Sequence, residues 1–207
     1  MKPLNKIENI EEYRHFGPLT QPFLDKDYVY NKVLNDLKNK QKDESSIHFL
    51  TSLILWIHKE VKYSKDDDIQ NLKFRRTAND IWKSKKASGC TDFGLLFATF
   101  ARQLSIPTTI LHTAEYDWLR KLKSGQNSLM HIGHTFCECY FGDNWILVDP
   151  TSKYIKTNYN PEKLELPYSL GGKSVFIPYF RGLDLGEKQT VRIHNQIMDD
   201  LCNKLEI

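Results

Sequence analysis

Residues 88–100, with the sequence SGCTDFGLLFATF, place a cysteine where an apolar helix begins. Apolar side chains recur at positions 93, 96, 97 and 100, which is the spacing of a single helix face. Gly89 directly precedes Cys90, and glycine adopts backbone angles that are closed to other residues. We therefore expect the sulfur of Cys90 to lie near the free backbone N–H groups of the first helical turn.

A cysteine in this position can act as a nucleophile. A free thiol has a pKa of about 8.5, and a helix N-terminus or a neighbouring imidazolium lowers that pKa to about 3.5–7.5. The resulting thiolate is reactive at neutral pH. The alternative is ordinary packing, because a single cysteine on a helix usually behaves as a small buried hydrophobic residue.

A β-hairpin is predicted further along the chain. Residues 132–141 and 145–148 are rich in β-branched and aromatic side chains, which favour strands. Gly142-Asp143-Asn144 lies between them and has the composition of a turn. The segment should therefore fold back on itself as two antiparallel strands.

The register of this hairpin decides which side chains share a face. A turn centred between positions 141 and 142 sets His134 opposite Asp149, whereas a turn centred on Gly142-Asp143 sets Asp149 opposite Phe136. Both registers leave the imidazole and the carboxylate on one face of the sheet, because side chains alternate with a period of two. A three-residue turn centred on Asp143 would separate them unless a bulge restored the pairing.

Together with Cys90, the two side chains would form a proton-transfer system. The carboxylate of Asp149 would orient the ring of His134 and stabilise its charged form. The ring would take the proton of Cys90 and return a proton to a leaving amine.

Four motifs in chain order resemble those of the transglutaminase-like superfamily of papain-like cysteine enzymes. The motifs are Gly89-Cys90, Ser105-Ile106-Pro107, His134-Thr135-Phe136-Cys137-Glu138-Cys139-Tyr140 and Trp145-Ile146-Leu147-Val148-Asp149-Pro150-Thr151. The resemblance covers about residues 47–186 and implies an α+β fold, in which a central antiparallel sheet packs against the helix that bears the cysteine. It also implies that Cys90 is the nucleophile, His134 the general base and Asp149 the orienting carboxylate.

The expected activity is acyl transfer from an amide through a thioester on Cys90. The chain departs from the family pattern at Phe136, where many members have Trp, and at Thr91, where the animal crosslinking enzymes have Trp. These departures argue against crosslinking of the animal type more than against thiol chemistry. We favour hydrolysis of the peptidase or amidase type over transfer to an amine, because nothing in the sequence resembles a dedicated amine site and a small protein without calcium ligands is unlike the large crosslinking enzymes. Two alternatives remain open: a transglutaminase, and a non-catalytic binding or scaffold protein that retains the fold.

Length and local patterns predict one domain spanning residues 1–207. An N-terminal arm and surface helix would occupy residues 1–44, the core residues 45–186, and a C-terminal helix residues 187–207. A helix capped by Ser45 or Ser46 should run to Val61, with Ile47 on its apolar face.

Composition argues against several classes of partner. The formal charge is +3, with 29 bases against 26 acids, so we expect no nucleic-acid or membrane partner. The longest apolar run, at residues 53–57, is far below the roughly 18 residues of a membrane span. The first twenty residues contain no apolar signal region, and four cysteines do not form a secreted disulfide pattern, so we expect a cytoplasmic location. The expected partner is a peptide or protein amide substrate.

No cofactor and no metal are predicted. Cys137 and Cys139 would point to the face of their strand opposite that of His134, whereas a zinc site needs convergent ligands. A metal site built from the cysteines remains the weaker alternative.

The connections around the predicted site contain further candidate residues. Residues 114–130 read as a long connection between two strands, where Tyr116 and Trp118 could contact substrate or dock on the core. The backbone N–H of Cys90 is the expected oxyanion donor. The second donor stays open among Trp56, Trp82 and Asn79.

Overall fold

The computed structural model describes residues 9–23, 28–43, 45–126, 132–162, 175–184 and 198–203. The described chain contains two 3-10 turns, Ile10–Arg14 and Pro18–Thr20. Its helices are α1 Tyr28–Asp43, α2 Ser46–Glu60, α3 Asp67–Gln70, α4 Ala78–Ser84, α5 Cys90–Gln103 and α6 Tyr116–Lys123. Its strands are β1 Lys62–Tyr63, β2 Lys86–Ala87, β3 Thr108–Glu115, β4 Gly133–Phe141, β5 Asn144–Asp149, β6 Tyr154–Lys156 and β7 Phe176–Gly182.

The main sheet has five strands in the order β6-β5-β4-β3-β7, and every neighbouring pair is antiparallel. Strands β1 and β2 form a separate parallel pair. Helix α5 packs on one face of the main sheet, against β4 and β3. This arrangement confirms the predicted α+β fold with the cysteine helix on a central antiparallel sheet.

Close packing joins α5 to the strand β4. The thiol of Cys137 is buried and donates to the carbonyl of Gly94 on the helix at 3.6 Å. A Cβ added at Gly94 would lie 2.8 Å from Cγ2 of Thr135. The absence of a side chain at position 94 therefore allows the helix to approach the strand closely.

The β4-β5 hairpin adopts the second of the two predicted registers. Its turn consists of Gly142 and Asp143, which have φ angles of 60° and 61°, as a two-residue turn of type I′ requires. The pairing Cys137↔Val148 is the last one formed towards the site, so Asp149 falls next to Phe136. The imidazole and the carboxylate accordingly share a face.

Several local expectations need correction. The helix α2 is capped by the side chain of Ser45, as predicted, but Ile47 is exposed because it lies in the first turn at the edge of the core. Residues 116–123 of the predicted connection form the helix α6. Residues 154–156, for which no strand was predicted, add the edge strand β6.

Trp118 docks on the core. Its side chain is buried with Leu119 against Ala114 and Ile177, so the packing alternative describes it better than a substrate contact does. Residues 198–203 are helical, and the rest of the predicted C-terminal helix lies outside the described residues. No helix among the described residues is long and apolar enough to cross a membrane.

Candidate active site

The candidate site lies at one end of the main sheet, which we call the site end. Strands β3 and β5 finish there, and β4, β6 and β7 begin there, since Ala114 pairs with Gly133 and Asp149 pairs with Tyr154. The first turn of α5 reaches the same end, where the hydroxyls of Thr91 and Thr135 are 3.3 Å apart. The predicted nucleophile, base and carboxylate thus come from three elements that meet at one place.

His134 and Asp149 are hydrogen-bonded. The ring Nε2 lies 2.8 Å from Oδ2 of Asp149, and both side chains are buried. The carboxylate also accepts the backbone N–H groups of Thr151 and Ser152 at 2.9 and 3.1 Å, and the hydroxyl of Ser152 at 2.6 Å. These donors fix the carboxylate in place, so it can hold the imidazole in one orientation.

The same contacts keep Asp149 ionised. Burial alone would raise the pKa of this carboxyl group, but the hydrogen bond and charge of His134, with the donors of Ser152, lower it overall. A charged carboxylate beside a buried imidazole favours the imidazolium form.

The sulfur of Cys90 and the ring of His134 shift each other's pKa. Burial raises the pKa of Cys90, yet the hydrogen bond and charge of His134, together with Thr135, bring it below its ordinary value. Burial lowers the pKa of His134, but Asp149 and Cys90 raise it to about 9. Since Nε2 is engaged by Asp149, Nδ1 is the ring nitrogen left for the sulfur. The arrangement favours a thiolate-imidazolium pair at neutral pH.

A buried ion pair fixes the chain just before Cys90. Oδ2 of Asp92, in the first turn of α5, accepts the backbone N–H of Ser88 at 2.7 Å and Nη1 of Arg76 at 3.0 Å. Because the N-cap of α5 is Gly89, no N-cap side chain is available, and Asp92 satisfies a backbone donor of the incoming chain instead. The pair therefore sets the path along which the chain enters the helix.

Arg76 ties this turn to its surroundings. Its guanidinium is buried and donates to the carbonyls of Lys86 and Asp80 at 2.7 and 3.1 Å, and to the hydroxyl of Ser84. Sequence analysis missed both Arg76 and Asp92. The position of an acid two residues after the cysteine was the available signal, but its basic partner is sixteen residues away and becomes apparent only through the tertiary fold.

A second histidine lies near the site. Nδ1 of His112 is 3.2 Å from the hydroxyl of Thr135, which is itself in contact with Thr91 in the first turn of α5. On the neighbouring strand β7, His112 pairs with Phe180 and the next residue pairs with Pro178, so Tyr179 is an extra, bulged residue. The ring of Tyr179 lies 6.4 Å from that of His112, and burial and the charge of Cys90 both raise the pKa of Tyr179.

None of the three suggested second oxyanion donors is placed at the nucleophile. The rings of Trp56 and Trp82 pack on Phe100 with centroids 4.8 and 5.3 Å away. Phe100 is ten residues beyond Cys90, or about 15 Å along the helix. The amide of Asn79 donates to the carbonyls of Gln21 and Pro22 at 3.5 Å.

The cysteines do not gather around a metal. All four, at positions 90, 137, 139 and 202, are free thiols, and Cys137 and Cys139 are buried on the α5 side of β4. Within the described ranges, no group of three or more His, Cys, Asp or Glu side chains could hold a metal ion.

The fold is that of a general cysteine-dependent catalytic family. A family model described as the Transglutaminase-like superfamily matches residues 31–150. That match covers more than half of the 207 residues, and the chain therefore belongs to the transglutaminase-like superfamily.

The chain matches two solved structures, of which the first shares its fold. One is a Cytophaga hutchinsonii protein named "Putative Cysteine Protease", with a TM-score of 0.53 and 19% identity over 87% of this chain and 49% of that one. The other is a TGase, with a TM-score of 0.40 and 12% identity over 68% of this chain and 36% of that one. The chain thus spans about half of the first structure and about a third of the second. No curated protein matches the sequence.

Proposed function

We propose that the protein is an enzyme that cleaves an amide bond by acyl transfer to Cys90, with His134 as general base and Asp149 as the carboxylate that orients it. The acyl donor would be a peptide or protein amide. The observation that carries the proposal is the 2.8 Å contact between Nε2 of His134 and Oδ2 of Asp149, which leaves the other ring nitrogen for the sulfur. The lowered pKa of Cys90 and the raised pKa of His134 support it.

The first half of the reaction forms a thioester. The thiolate of Cys90 attacks the carbonyl carbon, and the carbonyl oxygen becomes an oxyanion that accepts the backbone N–H of Cys90. The imidazolium of His134 gives its proton to the amide nitrogen. The carbon-nitrogen bond then breaks, the amine leaves, and the acyl group remains on the sulfur.

The second half releases the acyl group. His134, now neutral, takes a proton from water, and the resulting hydroxide attacks the thioester carbon. The carbon-sulfur bond breaks, the acid leaves, and the thiolate and imidazolium are regenerated. An amine in place of water would give a new amide by the same steps. We favour water because Thr91 stands where the animal crosslinking enzymes have Trp.

One experiment separates the outcomes. The protein is incubated with a peptide amide and a labelled primary amine, and the rates of acid release and label incorporation are measured together. We expect acid to form faster than labelled product, with both reactions lost in Cys90→Ala and retained in the control Cys202→Ser, which changes a buried thiol far along the chain. Faster incorporation of label would establish a transferase instead.

The non-catalytic alternative gives a different result. In that case no amide is turned over, and Cys90 reacts with iodoacetamide near pH 7 no faster than an ordinary thiol. Both observations together would overturn the proposal.

A further inference from the structure

Exposed apolar side chains occur in several segments that adjoin the candidate catalytic residues. Among the described residues, six of the eight large apolar side chains that are exposed lie in segments next to the candidate catalytic groups, whereas the other two are on α2. The six, which we call the collar, are Tyr63, Leu72, Phe74, Ile132, Tyr154 and Val175. Tyr63, for example, pairs with Ala87, three residues before Cys90. Single exposed apolar residues are ordinary, whereas several of them in segments that adjoin one site favour a binding surface.

The first part of the collar is fastened to the chain that leads into Cys90. The amide of Gln70 donates to the carbonyl of Ser88 at 3.1 Å. Cε of Lys73 lies 3.9 Å from the point that a Cβ on Gly89 would occupy. The segment between α3 and α4 therefore lies over the residues that immediately precede the nucleophile.

Two collar residues flank Lys73. Leu72 is 47% exposed and Phe74 is 51% exposed, and Nζ of Lys73 is 5.3 Å from the centre of the Phe74 ring. Phe74 has a φ of 66°, a left-handed conformation that is costly for a bulky side chain. Strained conformations of this kind concentrate at functional sites, so the fold holds an aromatic ring at the surface here at some expense in stability.

The second part of the collar surrounds His134 and Asp149. Ile132 is two residues before His134, so the alternation of an extended chain places the two side chains on one face. Tyr154 is paired directly with Asp149 across β5 and β6, and directly paired residues also share a face. Apolar side chains thus lie beside the base and beside the carboxylate.

Val175 is the third collar residue in the part near His134 and Asp149. Its carbonyl accepts the backbone N–H of Tyr116 at 2.8 Å, which fixes it at the end of β3. The ring of the following residue, Phe176, lies 5.8 Å from the ring of His134. The collar therefore approaches the three candidate catalytic residues from several directions.

We propose that the collar binds the acyl donor, and that the preferred donor is a peptide segment with apolar side chains on either side of the reacting amide. This inference depends on the proposed function, because the acyl donor is the substrate of the reaction proposed at Cys90. Apolar neighbours of the amide would bury the exposed rings and the leucine, whereas charged neighbours would lose hydration without gaining a partner.

A binding experiment tests the proposal without requiring turnover. Two peptide amides are compared on the Cys90→Ala protein by fluorescence anisotropy: one has Leu and Phe beside the amide, and the other has Ser and Asp at those positions. We expect the apolar peptide to bind about tenfold more tightly or better. Phe74→Asn removes the ring and suits a left-handed backbone, so it should fold normally and reduce this preference about tenfold.

The matched control is Ile47→Asn, which removes an equally exposed apolar side chain from the first turn of α2. This control should leave the preference unchanged. Equal binding of the two peptides, or an equal loss of preference in Phe74→Asn and Ile47→Asn, would overturn the assignment. A dimer in solution that dissociates on Phe74→Asn would also overturn it, since a second copy would then occupy the collar.

Failure of the proposed function gives a distinct pattern. If the collar preference is present but the wild-type protein turns over neither peptide, the catalytic proposal fails and the binding proposal stands. If both peptides are cleaved at equal rates and bind equally, the catalytic proposal stands and the collar assignment fails.

Discussion

Strand β4 carries two buried ionic partnerships, four residues apart on the same face. His134 is hydrogen-bonded to Asp149 at 2.8 Å, and Glu138 accepts Nε and Nη2 of Arg181 at 2.6 and 2.8 Å. The first partnership contains an imidazole, which can give up and regain a proton during a reaction, whereas an arginine keeps its proton. The face of β4 that carries His134 and Glu138 thus supplies a candidate catalytic group at the end of the strand. In the middle of the strand it supplies a structural ion pair, Glu138 with Arg181, which we call the anchor.

The anchor also binds the segment that follows β6. The hydroxyl of Tyr159 donates to Glu138 at 2.5 Å, and Nη2 of Arg181 donates to the carbonyl of Pro161 at 2.6 Å. Residues after β6 are thereby fixed to both β4 and β7. The difference between the two partnerships predicts that disrupting the first lowers activity and disrupting the second lowers stability.

The largest expected effect is on activity. His134→Ala removes the base, so amide turnover should fall by about 10²–10⁴-fold, as is typical when general base catalysis is lost. The midpoint of thermal unfolding should change far less than in a variant of the anchor. Steady-state kinetics and a melting curve measured on the same preparation check both statements, and a large fall in melting temperature with intact turnover would contradict them.

Asp149→Asn should have the next largest effect and should also change the pH profile. In the wild type, activity should rise as the Cys90 thiol ionises and fall as pH passes through about 9, where His134 loses its proton. Without the carboxylate the pKa of His134 should drop, so the falling limb moves to lower pH. Turnover should decrease by about 10²-fold because the ring is no longer oriented. An unmoved falling limb would show that Asp149 does not act on the ring.

Disrupting the anchor should lower stability and leave the reactivity of Cys90 unchanged. Glu138→Ala leaves the Arg181 guanidinium buried without its carboxylate, so the free energy of unfolding should fall by about 3–5 kcal/mol. The reaction of Cys90 with iodoacetamide near pH 7, measured under conditions in which the variant is folded, should keep its wild-type rate. Urea titration gives the first quantity. A slowed alkylation in the folded variant would erase the distinction between the two partnerships.

Disrupting the pair of Arg76 and Asp92 should lower both the stability of the protein and the reactivity of Cys90, each by a smaller amount. Asp92→Asn keeps an acceptor for the backbone N–H of Ser88 but loses the charge opposite Arg76, so stability should fall by about 1–3 kcal/mol. Alkylation of Cys90 should also slow, because the chain entering α5 is less firmly held. If Asp92→Asn loses stability but Cys90 is alkylated at the wild-type rate, the pair of Arg76 and Asp92 has a structural role only, like the anchor.

Local patterns were enough to predict the hairpin and the cysteine helix. The two-residue period of β4, the glycine before Cys90 and the apolar spacing of α5 are all properties of short segments. The sequence could not decide between the two hairpin registers, because the register depends on whether Gly142 and Asp143 both take positive φ. Both registers nevertheless gave His134 and Asp149 a common face, which is why the candidate site could be predicted without knowing the turn.

Contacts between residues that are far apart in the chain could not be predicted from the sequence. Arg76 ends the basic stretch Lys73-Phe74-Arg75-Arg76, whose composition is typical of a solvent-exposed segment, yet its side chain is 4% exposed. Its burial depends on Asp92, on β2 and on α4 coming together. Likewise Trp118 reads as an available aromatic residue until α6 is seen to pack it on the core.

The pH dependence of Cys90 alkylation by iodoacetamide, in the wild type and in His134→Ala, tests the account most directly. If His134 stabilises the thiolate, the wild-type midpoint lies below the ordinary thiol pKa and shifts upward when the imidazole is removed. Identical profiles for the two proteins would show that the ring does not act on the sulfur, and the proposed catalytic arrangement would be wrong.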